Sequence, residues 1–338
     1  MDREKLYVGI DLHKRSFSYV VLDGQGNEVS SGRLSTEESS VSEFAMSLDS
    51  RHAVVVEPLT SSWWFIGLVG QQAGSVHLAN ARRVRLIAES RCKTDRSDAR
   101  VLADLLRVGY LPEVYQPDGE LVRWRQLISH HRRLVCHRTQ VRNQVLAVLG
   151  REGVVIGTSD PFGRRGRAEM ARASVSDQTR EVVDQLLKQE ELLTVQLKTI
   201  GQRIGVVAQE DAICQLLMTV DGVGMITAVA LRAFVGQIER FETAKEFGAY
   251  LGLVPRVHQS GALVHGGGIT KQGPSVLRWL LVQSVPHAVR HTPYLKKLYT
   301  RVLYRSSTGT AKVAVAHAVA RIIWHVWTER RPYYRTAA

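Results

Sequence analysis

The spacing of apolar positions changes several times along the first hundred residues. Leu6, Val8 and Ile10 alternate with Tyr7, Gly9 and Asp11, the two-residue period of a strand that delivers an acid to a site. Ser16–Leu22 is rich in β-branched and aromatic residues. Asp23-Gly24-Gln25-Gly26-Asn27 then supplies hairpin turn chemistry into a third strand over residues 28–33. A helix is expected at 42–48. Ala53-Val54-Val55-Val56 is short, apolar and β-branched, as in a central strand covered on both faces. Residues 60–73 read as helix, Ser75–Leu78 as strand and 97–107 as helix.

Beyond residue 120 the period becomes helical. Leu127, Leu134, Val141 and Val148 recur every seven residues, and no acid occurs from Leu121 to Arg151. One face of this helix is therefore apolar and the others basic. Leu186, Leu193, Ile200 and Val207 repeat the heptad, with Leu197 and Ile204 at the alternate positions and Glu190 interrupting the seam. That pattern predicts one arm of a coiled coil or helical hairpin. Between the two, Gly163-Arg164-Arg165-Gly166-Arg167 reads as an exposed basic loop and flexible joint. From about residue 213, helices alternate with glycine-rich turns. Val220-Asp221-Gly222-Val223-Gly224 precedes an apolar helix at 227–235, further helices begin near Ser275 and at Lys312, and a triple glycine occupies 266–268.

Three strands, then helix, strand, helix, strand, helix is the order of an RNase H-like α/β fold. The layout expected is an α/β domain at 1–110, a basic helical or coiled-coil connector at 111–212, a mostly α-helical domain at 213–330 and a basic tail at 331–338.

Composition narrows the partners. The 338 residues hold 45 Lys plus Arg against 32 Asp plus Glu, a net charge of +13 that favours a polyanion. No apolar run approaches the roughly 18 residues that span a bilayer, and Met1-Asp2-Arg3-Glu4-Lys5 does not open a signal peptide. Cys92, Cys136 and Cys214 lack metal-ligand spacing and read as reduced thiols. A cytoplasmic, nucleoid-associated protein of a prokaryote is expected, with no membrane partner.

Asp11 closes the first strand, Glu57 follows the Val54–Val56 strand, and Asp95 and Asp98 share one helix face at i, i+3. Taken singly, each could be an ordinary surface acid. Together, strand ends and a flanking helix can gather four carboxylates, which repel one another unless hard cations such as Mg²⁺ or Mn²⁺ fill the cluster.

Val8-Gly9-Ile10-Asp11-Leu12-His13-Lys14, Val56-Glu57-Pro58 and Lys93-Thr94-Asp95-Arg96-Ser97-Asp98-Ala99 resemble the N-terminal domain of insertion-sequence transposase family one-ten, which is RuvC-like and carries an Asp-Glu-Asp-Asp set. The resemblance implies that Asp11, Glu57, Asp95 and Asp98 are catalytic metal ligands. Pro58 stands where Ala is commoner in the family.

Gly222-Val223-Gly224, Leu251-Gly252-Leu253-Val254-Pro255, Gln259-Ser260-Gly261 and Ile269-Thr270-Lys271-x-Gly273 follow in an order similar to the same family's C-terminal transposase domain. By resemblance, Ser260 is the catalytic nucleophile that forms a phosphoserine link to DNA. A serine hydroxyl needs activation, and His258 and His265 lie near in sequence without a Ser-His-Asp order. Asp221 replaces the Pro usual in the family, which weakens the case for a phosphate contact there. Lys271 and Arg278 are candidate phosphate contacts. Arg123, Arg125, Arg132, Arg133, Arg138, Arg142, Arg164 and Arg165 suit a nucleic-acid backbone.

The expected function is therefore that of a transposase or site-specific recombinase acting on donor and target DNA. The resemblance adds a structured, element-encoded guide RNA, and the second heptad series adds self-association as a dimer or tetramer. The alternatives are a metal-dependent nuclease or junction resolvase using water, a nucleic-acid-binding accessory protein, and an actin-like sugar kinase, against which the charge counts.

Overall fold

The computed structural model describes residues 4–57, 62–87, 94–260 and 263–333, and the chain divides into two compact units, Met1–Gln116 and Pro117–Ala338. Pro58, Cys92, Lys93, Gly261 and the end of the basic tail lie outside the described residues, as do the side chains of His258, Ser260 and His265.

The first unit is a five-stranded mixed sheet in the order β3-β2-β1-β4-β5, built from β1 (Leu6–Leu12), β2 (Ser16–Leu22), β3 (Glu28–Ser35), β4 (His52–Val56) and β5 (Ser75–Leu78). β1, β2 and β3 pair antiparallel, whereas β1–β4 and β4–β5 are parallel. Helices α1 (Glu38–Met46) and α2 (Ser62–Val69) cover one face with Val8, Ile10, Leu12, Phe17, Val54 and Val56. Helices α3 (Ala81–Ile87) and α4 (Asp95–Arg107) cover the other, packing Val20, Leu22 and Val55 against Ala99, Leu102 and Ala103. All five residues of β4 are buried for that reason. The expected element order holds, with α3 an addition that its single buried apolar residue, Val84, did not announce.

In the second unit α5 (Gly119–Arg151) and α7 (Asp177–Glu210) run antiparallel, with Ile128 and Ile204 in one apolar cluster and Val145, Leu149 and Val183 in another. The heptad stripe of α7 is thus covered from within the chain. On α5 the buried positions are Leu121, Ile128, His131, Leu134, Val141, Val145 and Leu149, and Leu127 and Val148 flank this stripe. The exposed basic loop expected at 163–167 is instead the start of α6 (Arg164–Arg172). Gly166 is buried there, and a Cβ on it would sit 2.0 Å from the Pro161 carbonyl oxygen. Its glycine therefore serves close packing, not a joint.

Glu190, 1% exposed, lies in the α5–α7 seam and accepts from Arg142 Nε at 2.8 Å, Arg142 Nη2 at 2.6 Å and Arg167 Nη2 at 2.5 Å. The residue that breaks the apolar pattern is thus a buried acid held by two arginines. Beyond α8 (Ala212–Leu217), α9 (Met225–Val235) and α10 (Ala244–Tyr250), the chain forms a hairpin that the glycine-rich pattern did not suggest: β6 (Pro255–Ser260) and β7 (Leu263–Ile269), antiparallel. Helices α11 (Ser275–His291), α12 (Pro293–Arg305) and α13 (Thr308–Glu329) close the unit around Trp327. Among the described residues, no helix is long and apolar enough to cross a membrane.

Candidate active site

Side chains two apart on a strand share a face, so Gly9 and Asp11 both point toward α4. A Cβ on Gly9 would lie 1.9 Å from the Ala99 carbonyl oxygen and 2.6 Å from the Ala103 nitrogen. Glycine on β1 and alanines on α4 therefore let helix and sheet approach closely, which carries the first turn of α4 toward Asp11. That first turn holds Asp95 and Asp98. It is fixed by a capping box in which Thr94 Oγ1 accepts from Ser97 N at 3.1 Å and Ser97 Oγ accepts from Thr94 N at 2.9 Å. Acids at a helix N-terminus also complement its dipole. The fourth acid comes from the sheet. The parallel register pairing Ile10 with Val56 places the next residues, Asp11 and Glu57, at neighbouring strand ends.

Asp11, Glu57, Asp95 and Asp98 line one cavity of about 380 Å³, together with Leu12, His13, Arg85 and Thr94. The structure thus brings all four acids named from the sequence to one place. Burial raises the pKa of Asp11 from its ordinary value, an effect opposed by the nearby His13 and reinforced by the charges of Asp98, Asp95 and Glu57. His13 Nε2 lies 3.2 Å from Asp11 Oδ2 and 3.5 Å from Asp95 Oδ1. Arg33 Nη2 approaches Asp95 Oδ2 at 3.7 Å. Oxygen donors with one imidazole in an open polar cavity fit a hydrated divalent cation. His13 and Arg85 were not singled out from the sequence as site residues, although His13 stands only two positions beyond Asp11.

Ser260 is the last residue of β6 and pairs with Leu263. It therefore sits at the tip of the β6–β7 hairpin.

A transposase model of the IS110 DEDD type matches residues 8–152, and the transposase model of the IS116/IS110/IS902 family matches residues 214–300. A "Probable family 20 transposase" of Pseudomonas aeruginosa is 30% identical over 275 residues, covering 74% of this chain and 78% of that protein. The chain belongs to the IS116/IS110/IS902 family of transposases. It is thus an enzyme whose substrate is DNA. A transposase for insertion sequence element IS1111A of Coxiella burnetii is 26% identical over 340 residues, covering 96% of this chain and 90% of that protein. A "Pilin gene-inverting protein" of Moraxella bovis is 24% identical over 353 residues, covering 97% and 98%.

The basic residues of this transposase divide into two groups. Arg125 donates to the carbonyls of Ala233 (2.8 Å) and Phe234 (3.2 Å), satisfying the last turn of α9. Arg142 is committed to Glu190. Arg278 donates to the carbonyls of Leu251, Gln272 and Gly273 and so pins the loop before α11. By contrast, Arg123, Arg133, Arg164, Arg165 and Lys271 are exposed, and Arg138 is partly so. Lys271 has φ of 55°, in the left-handed region. Arg132 donates to Ser275 Oγ at 2.9 Å and borders, with Arg133 and His137, a cavity of about 710 Å³. Asp221 is buried and accepts from Thr292 Oγ1 at 2.8 Å. Its place before the Gly-x-Gly turn is structural.

Proposed function

We propose that the first unit is an RNase H-like, RuvC-like nuclease domain whose Asp11, Glu57, Asp95 and Asp98 hold Mg²⁺ or Mn²⁺, and that the transposase breaks and rejoins DNA through a serine ester at Ser260. The observation that carries the metal half is the convergence of these four acids on one cavity. A cation bound there would neutralise charge on phosphodiester oxygens and favour the ionised form of an attacking hydroxyl. Asp11 and Glu57 offer ligands from the sheet, Asp95 and Asp98 from the helix, so binding would tie the two layers together.

In the serine half, Ser260 Oγ attacks a DNA phosphorus. The new phosphoserine bond replaces a phosphorus–oxygen bond to the sugar, the serine proton leaves, and the departing sugar oxygen takes up a proton. The ester keeps the bond energy of the phosphodiester, so attack by another sugar hydroxyl rejoins the strand without a nucleotide cofactor. The family matches at both ends of the chain support this reading. So does the name of the Moraxella relative, which describes an inversion. A structured RNA that selects donor and target DNA completes the proposal; the dimer or tetramer expected from the α7 heptads loses that support, because the stripe packs against α5 within the chain.

Ser260→Ala removes one oxygen. Cleavage should fall on the order of 10⁴-fold, nucleic-acid binding should persist, and the covalent protein–DNA band of the wild type should vanish from a denaturing gel. Cutting at a near-normal rate by Ser260→Ala, with free ends in both proteins, would replace the serine ester by a water-based nuclease.

A further inference from the structure

His13 is a nitrogen donor in a site that four carboxylates alone would make all-oxygen. Its backbone is held in the β1–β2 turn, where His13 N donates to the Ser16 carbonyl at 2.9 Å and its own carbonyl accepts from Thr36 Oγ1 at 3.2 Å. From that turn the ring reaches back over the cavity, which it helps to line.

We propose that His13 Nε2 is a direct ligand to the divalent cation shared by Asp11 and Asp95, shifting the centre's preference away from Mg²⁺ toward first-row transition ions. The inference rests on the carboxylate metal centre proposed above. Its basis is geometric. One donor atom each from Asp11, His13 and Asp95 lies within 4.8 Å of the other two. Neighbouring ligand atoms around an octahedral cation with bonds of 2.0–2.1 Å stand about 3.0 Å apart. The spacings of 3.2 Å from Nε2 to Asp11 Oδ2 and 3.5 Å to Asp95 Oδ1 are close to that edge length. The His13 side chain is 49% exposed, so metal entry requires no opening of the core. Mg²⁺ prefers oxygen ligands and sheds water reluctantly, whereas imidazole is a good ligand for transition ions. One imidazole among carboxylates therefore tilts the balance without excluding Mg²⁺.

The competing arrangement is a histidine that only hydrogen-bonds the two carboxylates and is displaced when a cation arrives. Mn²⁺ separates the two, because its unpaired electrons report directly bonded nitrogen. Purified full-length wild type loaded with Mn²⁺ should show nitrogen hyperfine coupling in pulsed electron paramagnetic resonance, and His13→Gln should lack it. By titration, His13→Gln should bind Mn²⁺ roughly 10- to 100-fold more weakly. Its Mg²⁺ affinity, measured by competition, should fall less. The metal-free melting temperature of His13→Gln checks that the fold persists. Bound Mn²⁺ without nitrogen coupling, or equal Mn²⁺ affinity in wild type and His13→Gln, overturns the ligand assignment and leaves the carboxylate centre standing. Failure of wild type to bind Mn²⁺, or equal binding by Asp11→Asn, overturns the carboxylate centre and the His13 assignment with it.

Discussion

Burial and the charges of Asp98, Asp95 and Glu57 hold the proton of Asp11 more tightly than in an ordinary aspartate, although His13 pulls the other way. Because the folded pKa lies above the unfolded one, the native state binds more protons across the carboxylate range. The contribution of Asp11 to stability is therefore full below its unfolded pKa and is lost as pH rises through the folded one. Asp11→Asn removes that loss. In chelator at pH 7 the variant should melt higher than wild type, and the gap should close as pH falls below the carboxylate range. Adding Mg²⁺ or Mn²⁺ should reverse the ranking by stabilising wild type alone. A variant that melts lower in chelator at pH 7 would show that Asp11 is held by contacts stronger than this repulsion. The four acids were legible in the sequence because each stands at a recognisable element end and within a motif. His13 was not, since a lone histidine in a turn carries no periodic signal. Nor was the fate of Arg125 and Arg142, whose partners lie 108 and 48 residues away in sequence.

The packing of α4 on β1 decides where half of the proposed site stands. Gly9→Ala adds one methyl where the helix backbone leaves no space for it. Overpacking of this kind costs about 1–3 kcal/mol or more when backbone must move. Shifting α4 would also separate Asp95 and Asp98 from Asp11 while leaving every acid intact. Gly9→Ala should thus lower the melting temperature and weaken Mn²⁺ binding about 10-fold or more, and unchanged metal affinity would show that α4 accommodates the methyl without moving its first turn. The alternation that announced β1 told which residues share a face, but the depth of contact depends on Ala99 and Ala103, a turn apart on α4 and about ninety residues downstream. Elements with conflicting local signals were the ones misread. Glycines made α6 look like a loop and β7 look like a turn, although Gly166 serves close packing and Gly266–Gly268 lie within a paired strand.

For the whole molecule, a charge of +13 says that a polyanion is attracted but not where it lands. The hydrogen-bond partners sort the arginines, and the sorting is testable. Replacing Arg132, Arg133 and Arg138 together by Gln should weaken DNA binding and reduce the slope of log affinity against log salt by roughly 2–3, at about 0.7–0.9 for each phosphate that is no longer neutralised. Replacing Arg125 and Arg142 should instead lower the melting temperature and leave the slope unchanged. The opposite pattern would mean that structural and DNA-facing arginines have been exchanged. Arg142 and its partner bear on folding as well. A leucine stripe repeating every seven residues matches itself after a slip of one heptad, about 10 Å along the axis at 1.5 Å per residue. Such a slip would carry Glu190 away from Arg142 and leave it buried without that counter-charge, at a cost of several kcal/mol. The acid that spoils the hydrophobic repeat thereby makes its alignment unique, rejecting the out-of-step pairings that a perfect repeat would tolerate.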